Sequence, residues 1–190
     1  MTPIVERAVD LLRRARTTVD RGLNETELCA VEQRFGFTFS PDHREFLAEV
    51  LPTGDLWVNW RADAAEKIAS RLAWPADGTI FDVRENHFWP RSWGPRPPDD
   101  GEAEALARTR MAAVPVLVPV YGHRYLPAAP APAGSPVFSV YQTDVIYYGD
   151  DLADYIAYEF KVGEPSQGHH PRTRIDFWSD LAEGAESEDL

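Results

Sequence analysis

Apolar residues recur three and four positions apart over several stretches of this chain, and in alternation over a few others. Val5, Ala8, Val9, Leu12 and Ala15 fall on one helical face behind Thr2, a capping residue, and Pro3, whose fixed φ suits a first turn. From Gly22 to Leu51 the pattern predicts two capped helices in succession. Asn24 is placed to cap the first, Glu27 to reach back to its free N–H groups, and Leu28, Val31 and Phe35 to face inward before Gly36 ends it. Ser40, Pro41 and Asp42 open the second, with Phe46, Leu47, Val50 and Leu51 as its stripe.

Further along, Leu56, Trp57 and Val58 predict a short strand, and Asp63 with Glu66 forms a capping box for a helix over Ala64 to Leu72. Pro75 and Gly78 punctuate its end. Thr79 to Val83 then predicts a strand, and Arg84 to Asp100 a long loop rich in Trp, Pro and Arg. Glu102 to Ala113 predicts a helix. Val116 to Gly122 follows as a buried strand whose Pro119 requires an edge or a bulge, and Pro127 to Pro136 has the composition of a mobile connector. A hairpin comes next, Val137 to Tyr141 and Val145 to Tyr148 about a Gln142–Thr143–Asp144 turn. Asp150 or Asp151 caps a last long helix through Leu152, Tyr155, Ile156 and Phe160, and Ile175, Phe177 and Trp178 form a patch expected to dock on the rest.

Helices, strands with interposed helices, a hairpin and a helix lack the regular alternation of parallel crossovers. The fold class is α+β, a single domain over residues 1–178 with a mainly antiparallel sheet. Residues 179–190, acidic and nearly free of apolar side chains, are expected to be a disordered tail.

Composition narrows the function classes. At 190 residues, 44% hydrophobic and 26% charged, the chain can bury a core. Its formal charge of −12 disfavours nucleic acid, whose phosphates need cations, and favours a basic partner. Its Arg-heavy basic content, with Lys67 and Lys161 the only lysines, points to a GC-rich bacterial coding genome. A single cysteine, Cys29, excludes an internal disulfide and fits a reducing cytoplasm. No run reaches the roughly 20 apolar residues of a membrane span.

The stretches LNETELCAVEQRFGFTFSPDHREFL, VLVPVYG and VFSVYQTDVIYYGDDLADYIAYEF, framing Leu23 to Phe160, resemble in order and spacing the SUKH superfamily, which holds fungal cell-wall regulators of the Smi/Knr type and bacterial toxin-immunity proteins. The segment LAWPADGTIFDVRENHFWPRSWGPRPPDD, ahead of VPVYGHRYLP, also resembles a bacterial subgroup with an aromatic insertion. The resemblance implies an α+β binding module with no catalytic activity and no cofactor. In the bacterial branch it implies a protein partner, a toxin neutralised by direct contact.

Two groups of residues carry candidate chemistry. His87, Trp89, Arg91 and Trp93 lie in the aromatic loop, where Trp and Arg are the types that anchor interfaces; the other reading is an insertion that folds back over the sheet. His123, Tyr125 and Asp144 lie on or beside strands, and with His87 they would supply a proton-transfer pair or part of a metal site if the fold assembled them. Their spacing matches no compact metal motif, and no glycine-rich phosphate loop or nucleophile elbow occurs. The expected function is protein binding; the alternatives are a small-molecule enzyme or binder built on the His, Tyr and Asp residues, and a regulatory scaffold.

Overall fold

Both faces of the main sheet are covered, and this governs where a site can lie. A computed structural model describes residues 1–168 and 170–184. Its helices are α1 (Pro3–Arg14), α2 (Glu25–Phe35), α3 (Pro41–Glu49), α4 (Ala65–Glu85), α5 (Asp100–Met111), α6 (Leu152–Glu159) and α7 (Trp178–Ala182). The strands are β1 (Val19–Arg21), β2 (Val50–Pro52), β3 (Leu117–Tyr121), β4 (Arg124–Pro127), β5 (Val137–Tyr141) and β6 (Asp144–Gly149). β1 and β2 form a small antiparallel pair, and β3-β4-β5-β6 an antiparallel sheet in chain order. The fold is α+β.

Alternation along the strands sends side chains to two cores. Val118, Val120, Leu126 and Val137 join α1, α2, α3 and α6 in one; Leu117, Tyr125, Phe138, Val140, Val145 and Tyr147 join α4, α5 and α7 in the other. A strand buried on both sides loses its polar positions, so β3 reads as the nearly unbroken apolar run LVPVY. Its Pro119 is tolerated because β3 is an edge strand and its register with β4 shifts between Pro119 and Tyr121.

Local capping largely follows the expected chemistry. Asn24 and Glu27 form the reciprocal box on α2, and Gly36 ends it at φ 71°. Asp99 and Asp151 accept from Glu102 N and Asp154 N at the starts of α5 and α6. Ser40 makes no capping bond to α3. Asp63 is no cap either: Ala64 precedes α4, while Asp63 accepts from Asn59 N and Lys67.

Larger departures have tertiary causes. Val50 and Leu51 leave the helical stripe to pair as β2 with Arg21 and Asp20. The strand expected at Leu56–Val58 is reduced to one bridge, Trp57 to Tyr121. The helix expected to end near Leu72 and the strand expected at Thr79–Val83 are one helix, α4, with Ile68, Pro75, Thr79, Ile80 and Val83 buried along one side. Pro75 has no N–H to offer the Arg71 carbonyl one turn back, and the Tyr125 hydroxyl donates to that carbonyl instead, at 3.1 Å. The side chain that permits the helix to continue is thus on β4.

The connector between β4 and β5 is held rather than loose. Ala129 N donates to Thr38 O at 2.8 Å, Gly134 N to Asp42 Oδ2 at 2.5 Å, and Ala128 and Ser135 are buried. The patch at Ile175, Phe177 and Trp178 does dock: Ile175 and Trp178 are buried, and Trp178 Nε1 donates to Pro115 O at 2.7 Å. The start of the expected disordered tail is α7, where Leu181 is buried and Asp180 and Glu183 pair with Arg174. The rest of that expectation, residues 185–190, lies outside the described residues, as does His169.

Candidate functional site

The length of α4 separates the two candidate groups. His87, at φ 57°, closes the C-terminal end of α4, where Phe88 N donates to Asp82 O. The β3–β4 turn sits over the other end: Arg71 Nη2 donates to Gly122 O at 2.7 Å, beside His123. The β5–β6 turn lies between, fixed by Asp82 Oδ2, which accepts from Thr143 N at 2.9 Å and Thr143 Oγ1 at 2.6 Å. From Arg71 to Asp82 the helix rises roughly 16 Å. His123 lies against β5, where Val140 N donates to its carbonyl, Asp144 opens the next strand, β6, and His87 lies past the end of α4; among the described residues no hydrogen bond or ion pair joins the three into a proton-transfer set.

The aromatic insertion mostly covers the second core. Trp93 is buried, its ring stacked on Phe177 at 6.3 Å and met edge-on by Trp89 at 5.4 Å. Trp89 Nε1 donates to Gly94 O at 2.7 Å. Both rings are spent on packing, while His87 and Arg91 stay exposed. Arg96 pairs with Asp100.

His123 and Tyr125 do share a site. With Ser70, Arg71, Trp74 and Gly122 they line a cleft of about 240 Å³ between α4 and the β3–β4 turn. Burial pushes the Tyr125 hydroxyl up to about 12, so it stays protonated and able to donate to Arg71 O. His123 is exposed at the edge of the cleft, and its partial desolvation, followed by the neighbouring Arg124 charge, lowers it from its ordinary value. Burial also lowers Arg71.

An adjoining groove of about 230 Å³ continues along α4, past Ser70, Trp74, Asp77, Gly78 and Phe81, to Tyr141 and Gln142 on the hairpin. Here the structure adds residues that sequence reasoning passed over. Trp74, Phe81 and Tyr141 keep 46%, 41% and 58% of their surface exposed, although each is large and aromatic. Trp74 and Tyr141 are in ring contact at 6.3 Å, and Arg84 lies over Phe81 at 5.9 Å. Positions 74 and 81, two helical turns apart, share a face of α4. That spacing is visible in the sequence once residues 65–85 are read as one helix; broken at Pro75, it has no meaning. Asp144 stands exposed next to this groove, at the start of β6.

Among the described residues no group of His, Cys, Asp and Glu is arranged to hold a metal ion, and no helix is long and apolar enough to cross a membrane. Comparison with family models, with curated proteins and with solved structures finds no match.

Proposed function

We propose that this chain is a non-enzymatic protein-binding module of the SUKH type, acting as an immunity protein that neutralises a bacterial toxin by direct contact. One observation carries the reading: Trp74, Phe81 and Tyr141 are large aromatics left exposed side by side on a rigid helix and hairpin. Scattered exposed apolar residues are ordinary, but a contiguous aromatic strip on fixed elements is the composition from which interfaces draw most of their energy.

Charge supports a basic partner. The chain carries 31 acidic against 19 basic residues, and Asp77 and Asp144 stand exposed at the groove. Such a field speeds encounter with a cationic surface, and the aromatic rings then supply affinity. A toxin whose substrate-binding face is basic would be occluded by this contact. The test is co-expression with the product of each neighbouring gene that is toxic on its own: growth is restored and the two chains co-purify. Failure of both protection and complex formation removes the antidote reading.

A further inference from the structure

Four of the chain's Lys and Arg residues are not exposed: Arg44, Arg71, Arg96 and Arg124. Three have carboxylate partners, Arg44 with Glu25 and Glu32, Arg96 with Asp100, and Arg124 with Glu159. Arg71 has none among the described residues. Its Nη1 donates to Leu56 O at 3.1 Å and its Nη2 to Gly122 O at 2.7 Å, both neutral carbonyls. The carboxylate that acts on it from a distance is Asp63, already engaged by Lys67 and Asn59 N. In a chain with an excess of acid, a half-buried guanidinium without a counter-charge is an exception. Removing a cation from water costs free energy that a paired anion normally offsets.

A cleft opens beside this guanidinium. Arg71 lines the cleft of about 240 Å³ with Ser70, Trp74, Gly122, His123 and Tyr125. The guanidinium has five N–H donors in all, more than its two carbonyl contacts use. Ser70 and His123 add polar groups to the lining, and the exposed Trp74 supplies an apolar wall. Position is secured from both sides, since the Arg71 carbonyl is fixed by Tyr125 and its guanidinium by two loops.

We propose that this cleft is a binding site for a small aromatic carboxylate, whose carboxylate meets Arg71 and His123 and whose ring lies against Trp74. A planar oxyanion matches the guanidinium fork, and the cleft holds a single ring rather than a nucleotide-sized ligand. The cleft shares Ser70 and Trp74 with the groove proposed for the protein partner, but its test needs no protein partner, so the two readings fail separately.

The test uses the whole chain with benzoate, its neutral isostere benzamide, and inorganic phosphate, followed by calorimetry and by backbone amide NMR shifts. Benzoate is expected to bind at least about tenfold more tightly than benzamide, with the largest shifts at Gly122 and His123. Arg71→Gln should abolish this preference. Because Arg71 also ties two loops, the wild-type comparison of benzoate with benzamide decides the matter even if that variant fails to fold. Equal affinity for the two, no benzoate binding up to about 10 mM, or shifts confined elsewhere overturns the site, and phosphate binding tighter than benzoate overturns the carboxylate assignment.

Discussion

The Tyr125 hydroxyl donates to the Arg71 carbonyl at 3.1 Å, the acceptor that Pro75 leaves without its helical donor. One side chain on β4 thereby makes a proline acceptable inside α4 and holds the helix against the sheet. Tyr125→Phe strands a part-buried carbonyl and is expected to cost about 1–2 kcal/mol in denaturant unfolding. Pro75→Ala restores a helical N–H at the same point. In that background Tyr125→Phe should cost about 1 kcal/mol less than in the wild type, a coupling that a double-mutant cycle reads directly.

Gly78 offers a second check on how α4 meets the hairpin. In an exposed helix Gly→Ala gains about 1 kcal/mol. A Cβ at position 78 would lie 2.9 Å from Gln142 Cα, backbone that has little room to retreat because Asp82 fixes Thr143. Gly78→Ala is expected to destabilise instead, by about 1–3 kcal/mol, and to displace Tyr141 from Trp74. A lowered midpoint with altered tryptophan fluorescence is the result to look for; a raised midpoint contradicts the contact.

These two residues also show what could be read in advance and what could not. The paired helices at Gly22–Leu51 were legible because their caps, stops and stripes are local, and the hairpin was legible because turn residues separate two β-rich runs. The helix α4 was not, since Pro75 and Gly78 are local stop signals whose resolution comes from Tyr125 and Gln142, both distant in sequence. The candidate site suffered the same fate. His123 and Tyr125 were recognisable as unusual residue types, but Arg71, Trp74 and Phe81 gain meaning only on an unbroken helix. The loop tryptophans, conspicuous in the sequence, are largely engaged in packing.

His43 gives the fold a pH dependence of definite sign. It is fully buried beside Phe39, and burial pulls it down to about 3 from an ordinary value of 6.5. Below pH 6.5 the unfolded chain takes up a proton that the folded chain refuses until about pH 3. Stability is therefore complete above 6.5 and is lost as pH falls through that window, by up to about 1.4 kcal/mol per unit. His43→Leu should remove most of this slope between pH 6.5 and about 5.5, above the main range where carboxylates titrate, leaving the share of His123, which is lowered as well. Urea unfolding at several pH values compares the two; an unchanged slope in His43→Leu would show that another group is responsible.

The central claim is that the exposed strip on α4 and the β5–β6 turn is where a protein partner docks, and the most direct measurement is quantitative binding by Trp74→Ala and Phe81→Ala variants. Both side chains are nearly half exposed, so each variant should keep its unfolding free energy within about 1 kcal/mol of wild type. Against a toxin that the wild type binds in the co-expression test, affinity should fall by at least about 2 kcal/mol, some thirtyfold, for one or both, and protection should fall with it. Folded variants that bind and protect as well as the wild type would contradict the claim.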